Sequence, residues 1–470
     1  MSGARPTRYR ARWIVPITAQ PIADGALLVD EAGRIVALGP AATVPAPPDA
    51  AEVDLGHAAL LPGLVNTHAH PELVALRGLL EDLPFHTWIP LLRHAKVAAE
   101  LDAEDCTAAA LWTCVEAVAA GITTLGATED SGAALGAMRT AGLRGVVYRE
   151  VFGPDPAQAE AAVAELRERV LAMRALETDL VRVGVSPHAL YTVSDQLFSA
   201  TARLALEEEL PLAVHAAEAH VEEELVARAA GPFAASLRAR GITVQPRAHS
   251  TAALLHRLGV LRARPLLIHC VRLHPEDGRR LADAGATVAH CPVANARLGH
   301  GTAPIPELLA AGVRVGLGTD SMAANNRMDI LEEARTAQLM QRARLHHAGV
   351  LPAAEVLRMA TLGGAEALGL AARTGSLEAG KDADLCAVAL EAPHTRPVHD
   401  VAAAVVHAAR GSDVVLTVVR GRVLYESRSW LTLDPRAILP RVEDSARRLH
   451  RAVHAALAGT PAAAAAAERR

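Results

Sequence analysis

Polar residues close short apolar runs at several points of this 470-residue chain, and this pattern constrains the fold more than any other feature. His68 and His70 end the run Leu-Leu-Pro-Gly-Leu-Val-Asn-Thr, His215 follows Pro-Leu-Ala-Val, His269 follows Pro-Leu-Leu-Ile, and Asp320 follows Val-Gly-Leu-Gly-Thr. Runs of this length predict strands that are buried on both faces, as in a parallel sheet. In barrel enzymes, metal ligands and catalytic groups lie just past the carboxyl ends of such strands.

The middle of the chain alternates strand-like runs with stretches of helical periodicity. The predicted strands are Leu60–Asn66, Ile122–Ala127, Gly145–Val151, Val181–Pro187, Pro211–Ala216, Pro265–Cys270, Ala286–Cys291 and Val313–Thr319. Eight strand–helix units predict an α/β fold, a (β/α)8 TIM-like barrel over residues 60–370. A doubly wound sheet is the alternative, but no Gly-x-Gly-x-x-Gly motif opens the first crossover.

Both ends of the chain have β character and turn signals, which predicts a small β-sandwich domain formed from the two ends. We expect residues 1–59 to form its first part and residues 371–436 its second part. Residues 437–470 are expected to form a C-terminal helix and an Ala-rich tail.

Composition excludes several classes of function. Hydrophobic residues make up 51% of the chain, the net charge is −5 and aromatic residues are only 3%, so neither a basic stripe nor a stacking platform for nucleic acid is expected. The five cysteines show no paired spacing, and no run approaches the length of a membrane span. We therefore expect a cytoplasmic protein that binds neither nucleic acid nor membranes.

The strand-end residues suggest a metal site. In a strand, His68 and His70 share a face and offer half of a zinc or iron site, although two loop histidines are the simpler alternative. Asp320 directly follows an apolar strand and is costly to bury unless paired or metal-bound, although it also suits a helix N-cap. Glu218, three residues after His215, is placed to shuttle protons or to cap a helix dipole.

His269 and His188 repeat the strand-end placement. Each alone is more typical of a structural histidine. Incidental placement at so many strand ends of one barrel is improbable, and the combination favours an active site.

Five segments together make the chain resemble the amidohydrolase superfamily, in particular its mononuclear-metal deaminase and chlorohydrolase branch. They are Leu61–His70, His215-x-x-Glu218, His269, Gly318–Ser321 and Gly375–Asp384. The resemblance implies four metal ligands, a histidine near the metal-bound water, a proton shuttle and an acceptor for the water's proton. These are His68, His70, His215 and Asp320 as ligands, His269 beside the water, Glu218 as the shuttle and Asp320 also as the acceptor.

The binuclear branch of this superfamily uses a bridging lysine at the end of an earlier barrel strand. The candidate strands here end without lysine, so one divalent metal per subunit is expected, with Zn²⁺ as first choice and Fe²⁺ as the alternative. The implied reaction is hydrolysis of a C–N bond in a cyclic amidine, in which metal-bound hydroxide attacks and ammonia leaves.

Further resemblances concern the substrate. The segment Arg77–Trp88 looks like the lid loop of adenosine and S-adenosylhomocysteine deaminases, and His188–Thr192 is similar to their His-Ala-Pro-Tyr segment, with Leu190 in place of proline. The pair His70-Pro-Glu-Leu and Phe85-x-x-Trp88 is similar to aminodeoxyfutalosine deaminases. The residues expected to bind substrate are Glu72, Trp88, Arg149 and His188. Glu72 as a helix-start charge and Arg149 paired to an interior acid remain alternatives.

We therefore expect a metal-dependent deaminase of an aminopurine nucleoside of the adenosine, S-adenosylhomocysteine or aminodeoxyfutalosine class. The alternative is a chlorohydrolase or other aminohydrolase acting on a triazine, a pterin or another N-heterocycle. A non-catalytic scaffold is disfavoured because all the ligands are present. The partner is a small N-heterocyclic molecule, and the chain is compatible with a homo-oligomer.

Overall fold

A computed structural model describes residues 5–458, whose elements we number in chain order. The strands are β1 (Thr7–Ile14), β2 (Ile22–Val29), β3 (Ile35–Pro40), β4 (Ala51–Asp54), β5 (Ala58–Pro62), β6 (Leu64–Ala69), β7 (Ile122–Glu129), β8 (Arg144–Val151), β9 (Val181–Pro187), β10 (Ala213–Ala216), β11 (Leu266–His269), β12 (Thr287–His290), β13 (Arg314–Leu317), β14 (Leu385–Ala389), β15 (Val414–Val419), β16 (Arg422–Glu426) and β17 (Ser429–Trp430). The α-helices are α1 (Phe85–Ala98), α2 (Ala103–Ala119), α3 (Ala133–Ala141), α4 (Ala159–Arg174), α5 (Asp195–Glu207), α6 (His220–Arg228), α7 (Gly231–Ala239), α8 (Thr251–Arg257), α9 (Asp277–Ala284), α10 (Pro292–Arg297), α11 (Ile305–Ala310), α12 (Ile330–Leu345), α13 (Ala353–Arg358), α14 (Gly364–Ala367), α15 (Val401–Ala403) and α16 (Pro435–Ala458).

Two four-stranded parallel sheets form the centre of the molecule, in the orders β6-β7-β8-β9 and β10-β11-β12-β13. Isolated parallel bridges, Val185 to Leu212 and Ala189 to His215, connect the β9 side to β10. On the other side, the Asp320 backbone N–H donates to the His68 carbonyl at 2.9 Å. The strands are buried and are joined through helices, so this part of the chain is a TIM-barrel-like α/β fold.

The first predicted strand, Leu60–Asn66, is wrong as a single element. The structure divides it into β5 and β6 at Gly63, and the two strands belong to different sheets. A Cβ at Gly63 would lie 2.0 Å from the Thr123 Oγ1, so glycine lets the chain cross closely over β7. The other seven predicted strands are present as β7–β13, with ends shifted by up to about two residues, as is usual at element boundaries.

A nine-stranded sheet draws its strands from both ends of the chain. Its order is β17-β16-β15-β14-β5-β1-β2-β3, with β4 beside β1. Strand β5 joins the two ends because it pairs with β1 on one side and with β14 on the other. Both ends therefore build one sheet; its further arrangement as a sandwich stays a prediction.

A buried ion network ties this sheet region to the barrel. The Arg144 side chain, at the start of β8, is 1% exposed and donates to the Asp384 Oδ2 at 2.6 Å and to the Asp382 Oδ2 at 2.8 Å. Both aspartates belong to the segment that leads into β14. Buried charges of this kind are tolerated only when paired and hydrogen-bonded.

The C-terminal helix α16 packs against α2. The Asp105 carboxylate, whose side chain is fully buried, accepts hydrogen bonds from Arg441 and Ser445 at 2.6 and 3.0 Å and pairs with Arg448 at 2.6 Å. The predicted Ala-rich tail at 462–467 lies outside the described residues. Within residues 5–458, no helix combines the length and the apolar character that a membrane span needs.

Candidate active site

The four predicted metal ligands meet at one point where the parallel strands end. The His70 Nε2 lies 3.3 Å from the His215 Nε2, and the Asp320 Oδ1 lies 3.4 Å from the His68 Nε2 and 3.8 Å from the His70 Nε2. His68 is completely buried, and its Nε2 has no hydrogen-bond partner within residues 5–458. Four possible ligand atoms therefore converge, and one of them, the His68 Nε2, makes no hydrogen bond within residues 5–458.

Burial and neighbouring histidines keep these imidazoles neutral, and a hydrogen bond to the backbone fixes the orientation of the His215 ring. Burial, reinforced by neighbouring histidines, holds the pKa of His68 and His70 well below its usual value and lowers that of His215. The His215 Nδ1 lies 3.1 Å from the His188 carbonyl oxygen, so an Nδ1–H donates there and leaves the Nε2 lone pair free. Neutral rings with free lone pairs are the form in which histidine binds a metal.

The backbone at these strand ends is unusual. Ala217, His269, Cys270 and Asp320 all have positive φ angles, between 50° and 73°, although none is glycine. Such conformations are costly for these residues and concentrate at functional sites. Gly318 allows the last strand to approach the first, because a Cβ there would lie 3.0 Å from the His68 backbone nitrogen.

The donor set fits a divalent cation. Atoms that each lie about 2.0–2.1 Å from one ion would be about 3–4 Å apart, and the separations here, from 3.3 to 3.8 Å, are within that range. The ligand atoms of His68, His70 and Asp320 all lie within 4.8 Å of one another, as do those of His68, His215 and His269. Three imidazoles and one carboxylate suit zinc or iron(II) better than calcium or magnesium.

Glu218 lies beside this cluster and between two histidines. Its Oε1 is 3.5 Å from the His269 Nε2 and 3.2 Å from the His300 Nε2. Burial alone would raise the pKa of Glu218, but His269 and His300 outweigh it and lower the pKa to about 2. The His269 Nδ1 lies 2.9 Å from the Asn295 Oδ1, which directs the Nε2 lone pair of His269 toward the site.

His300 was not identified from the sequence. It lies after α10 and closes no strand, so the pattern that revealed the other histidines contained no signal for it. Its side chain is 3% exposed, and its ring packs edge-on against Phe85 at a centroid distance of 4.6 Å.

A cavity of about 650 Å³ opens onto the cluster. Its lining includes Trp88, His188 and Glu72, all predicted to bind substrate, and the aromatic side chains of Phe85 and Tyr191. A volume of this size with mainly apolar walls and a few polar groups is typical of small-molecule sites.

Arg149 does not line this cavity. Its guanidinium is 3.9 Å from the buried Glu129, as in the alternative that pairs it with an interior acid. The next residue, Glu150, lines the cavity instead, because adjacent side chains of β8 point to opposite faces. The assignment of Arg149 to substrate binding therefore stays a prediction, and its place outside the cavity lining favours the alternative of an interior ion pair.

Glu150 and Glu72 form a second polar group in the cavity. The Glu150 Oε2 lies 4.0 Å from the His70 Nδ1, the ring nitrogen that is not turned toward Asp320 and His215. Burial and neighbouring acids raise the pKa of Glu72 to about 8 and that of Glu150 well above its usual value, against the opposing effect of Lys96.

Comparison with known proteins identifies similar chains over nearly the whole length. The model of the amidohydrolase family matches residues 59–424. A 5-methylthioadenosine/S-adenosylhomocysteine deaminase from Syntrophobacter fumaroxidans is 36% identical over 423 residues, which are 89% of this chain and 92% of that protein.

Two solved structures are also similar. One is a zinc-bound adenosine deaminase from Xanthomonas campestris, with a TM-score of 0.83, 30% identity, and coverage of 95% of this chain and 98% of that one. The other is the atrazine chlorohydrolase from Arthrobacter aurescens TC1 complexed with zinc, with a TM-score of 0.81, 25% identity, and coverage of 94% and 100%.

Proposed function

Because the chain belongs to the amidohydrolase family, we propose that it is a metal-dependent deaminase that hydrolyses the 6-amino group of adenosine-type nucleosides. The observation that carries the proposal is Glu218, a buried carboxylate beside both the donor cluster and the substrate-sized cavity. Simple amide hydrolysis does not require a group that protonates a ring nitrogen, whereas deamination of a cyclic amidine does. The adenosine and methylthioadenosine/S-adenosylhomocysteine deaminases among the similar proteins support this substrate class.

We assign His68, His70, His215 and Asp320 as ligands of one divalent metal, with zinc as first choice and iron(II) as the alternative. The convergence of their donor atoms and the unpartnered His68 Nε2 support the assignment. The zinc in both similar structures supports the choice of metal. When bound, such a metal lowers the pKa of a coordinated water from about 15.7 toward 7.

The remaining residues supply proton transfer and orientation. A pKa of about 2 leaves Glu218 ionised at neutral pH, ready to take a proton from the attacking water and deliver it to the ring nitrogen. Asp320 is the second acceptor for a water proton, and its Oδ1 already accepts the Ser321 backbone N–H at 2.6 Å. His269, oriented by Asn295, holds the attacking oxygen in line.

Trp88, His188 and Glu72 are assigned to substrate binding because they line the cavity. Trp88 and Phe85 stack with ring centroids 6.2 Å apart, which provides an apolar surface for a purine. The His188 Nδ1 lies 2.7 Å from the Thr192 Oγ1, so this ring is held in place beside His215.

We further propose that β6–β13 close into a complete (β/α)8 barrel over residues 60–370, and that the nine-stranded sheet folds into a sandwich from residues 1–59 and 371–436. The bridges between β9 and β10 and the hydrogen bond from Asp320 to His68 support closure. A cytoplasmic location, a small-molecule partner and no nucleic-acid partner complete the proposal, which is compatible with a homo-oligomer.

Ammonia release tests the proposed function directly. Zinc-loaded protein is assayed with adenosine, S-adenosylhomocysteine, methylthioadenosine, aminodeoxyfutalosine, guanine and cytosine, and at least one 6-aminopurine nucleoside is expected to be deaminated. No release from any of them by protein with full metal content would overturn the proposal. The similar atrazine chlorohydrolase makes a triazine hydrolase the second candidate, which chloride release from a chlorotriazine would identify.

Glu218→Gln tests the assigned proton shuttle. We expect a loss of turnover of about 10²–10⁴-fold with unchanged metal content, because the amide cannot carry the proton. Glu223→Gln is the matched control, since Glu223 is in α6, pairs with Arg272 and is not in the cavity lining. Full activity of Glu218→Gln would refute the role.

A further inference from the structure

Glu222 is a buried carboxylate to which the proposed mechanism gives no role. It lies in the first turn of α6, four residues after Glu218, and is 0% exposed. It does not line the cavity, and no basic side chain in the described structure pairs with it. A carboxylate buried without a cation is costly unless hydrogen bonds satisfy it, so the donors around Glu222 indicate what it does.

Three donors surround the Glu222 carboxylate, and two of them belong to the backbone at the proton shuttle. The Oε1 accepts the Ala217 backbone N–H at 2.9 Å and the Thr251 hydroxyl at 3.0 Å, and the Oε2 accepts the Glu218 backbone N–H at 3.0 Å. This arrangement requires a group that only accepts hydrogen bonds. An ionised carboxylate meets the requirement, whereas an amide would turn an NH2 group toward one of the backbone N–H groups.

The backbone that Glu222 holds is a strained turn at the end of β10. Ala217 has a φ of 52°, a conformation that is costly for a residue with a Cβ. The carbonyls of the turn are bound from the β11 side, where the Cys270 N–H donates to Ala216 at 3.1 Å and the Arg272 N–H donates to Ala217 at 2.7 Å. Glu222 supplies the acceptors for the N–H groups, so the turn is held from both sides.

We propose that Glu222 is the positioning residue of the proton shuttle: it fixes this turn and thereby directs the Glu218 side chain toward the reacting atoms. The contacts that depend on this direction are those of the Glu218 Oε1, 3.2 Å from the His300 Nε2 and 3.5 Å from the His269 Nε2. A small rotation of the Glu218 peptide would move the carboxylate at the end of its side chain by much more. The inference rests on the proposed function, because Glu222 acts through Glu218 and not by touching the substrate.

The ionisation of Glu222 makes this role dependent on pH. Burial, together with the charge of Glu218, raises the pKa of Glu222 to about 7, against the opposing effect of its hydrogen bonds. The other titratable groups that face it do not change state between about pH 6 and 8.5: the pKa of Glu218 is lowered to about 2, and burial raises the pKa values of Tyr191 and Cys270, which stay neutral. Glu222 therefore accepts all three donors at about pH 8.5, and below about pH 7 a proton turns one of its oxygens into a donor.

Glu222→Gln tests the role in the full-length, zinc-loaded protein. At about pH 8.5 we expect kcat for adenosine to fall by about ten- to hundredfold with unchanged metal content, because one N–H of the turn then faces an NH2 group. The ratio of the wild-type kcat to the variant kcat should shrink as the pH falls to about 6, because protonated Glu222 resembles the amide. Titrations that both proteins share cancel in this ratio.

A double-mutant cycle shows whether the effect passes through Glu218. Glu222→Gln should reduce kcat much less in the Glu218→Gln background than in the wild type, because the shuttle that it positions is already absent. The matched control is Asp105→Asn. Asp105 is likewise buried, is the third residue of its helix, accepts the Asp102 backbone N–H at 3.0 Å and does not line the cavity. This control should lower the stability of the protein and leave kcat unchanged.

Either of two results would overturn the inference: equal relative losses of kcat in the two backgrounds, or a ratio of kcat values that does not change with pH. If Glu222→Gln does not fold, Thr251→Val replaces it. Loss of the hydroxyl donor raises the pKa of Glu222, so kcat should fall by about two- to fivefold at about pH 7 and stay close to that of the wild type at about pH 8.5. The same kcat as the wild type at both pH values would overturn the role.

Failure of the proposed function is distinguishable, because the wild-type protein would then deaminate no nucleoside. In that case the crystal structures of the wild type and of the variant decide the inference without an activity assay. A Glu218 carboxylate displaced from the His300 Nε2 in the variant supports the positioning role, and an unchanged contact overturns it.

Discussion

Replacing Arg144 with methionine should destabilise the protein measurably although Arg144 is outside the active-site cavity. The substitution keeps the approximate length of the side chain but removes the cation between Asp382 and Asp384. The side chains of all three residues are at most 1% exposed, so water cannot replace the lost guanidinium without rearrangement of the junction.

The size of the effect follows from the charges that remain. Breaking a buried ion pair by removing one partner costs about 3–5 kcal/mol, because the other charge stays buried. Here the carboxylates keep one donor each, Arg373 to Asp382 at 2.9 Å and the Arg420 backbone N–H to Asp384 at 2.8 Å. We therefore expect Arg144→Met to lower the unfolding free energy by an amount at the lower end of this range, about 3 kcal/mol.

Thermal unfolding followed by circular dichroism measures this loss. An unfolding entropy of about 2.1 cal/mol/K per residue gives about 1 kcal/mol/K for a chain of 470 residues, so the Tm should fall by about 3 °C. Arg167→Met, which removes a pair with Glu207 and Glu208 at a side chain 46% exposed, is the control and should shift the Tm by less than about 1 °C.

The double variant Arg144→Met with Asp384→Asn separates the burial of charge from the loss of packing. Its loss should be smaller than that of Arg144→Met alone, because one uncompensated carboxylate becomes neutral. A Tm for Arg144→Met equal to that of the Arg167 control would refute the view that this network holds the sheet region against the barrel.

Three further outcomes are expected. Asp105→Asn should lower the unfolding free energy at pH 7 by about 1–3 kcal/mol, because hydrogen bonds from Arg448 and Arg441 outweigh burial and hold the pKa of Asp105 well below its usual value. That stabilisation is present above the unfolded pKa of about 3.9 and is lost as the pH falls below it. The difference in unfolding free energy between the wild type and Asp105→Asn, measured by urea titration, should therefore shrink toward pH 3. A difference that stays constant with pH would contradict the lowered pKa of Asp105. Asn295→Ala should lower kcat by about 10–100-fold with unchanged metal content, because His269 loses the acceptor that orients it, and an unaltered kcat would remove Asn295 from the site. Removing the metal with a chelator should lower the Tm by about 4 °C relative to protein with a thousandfold excess of free metal over its Kd, and readdition of zinc should restore it; a Tm insensitive to both would contradict the metal site.

The strand-end pattern located most of the candidate site because it depends on local sequence. An apolar run followed by a histidine or aspartate indicates both a buried strand and its carboxyl end, so His68, His70, His215, His269 and Asp320 were found without knowledge of the tertiary structure. The same local reasoning joined β5 to β6, since Gly63 reads as part of the apolar run unless its close approach to Thr123 is known.

The functional residues that local patterns did not identify depend on the face to which a side chain points and on contacts between residues far apart in the chain. Arg149 and Glu150 are neighbours at one strand end and point to opposite faces of β8, and only the tertiary structure shows which of these faces borders the cavity. His300 contacts Glu218 from a loop and lies 82 positions later in the chain, and no spacing rule connects the two. The Glu72 Oε2 and the Glu150 Oε1, which have no hydrogen-bond partner among residues 5–458, are likewise a result of packing that no local pattern indicates.

The meeting of His68 and Asp320 also bears on how the protein matures. His68 lies in β6 and Asp320 lies just after β13, 252 positions apart, and the Asp320 backbone N–H donates to the His68 carbonyl. A nascent chain therefore possesses the His68–His70 pair early in synthesis but completes the donor set only when the last strand has docked beside the first. On the proposed ligand assignment, metal affinity therefore reports the docking of β13 beside β6, and a fragment that ends before β13 keeps the three histidines but lacks Asp320 and should bind the metal more weakly than the full chain.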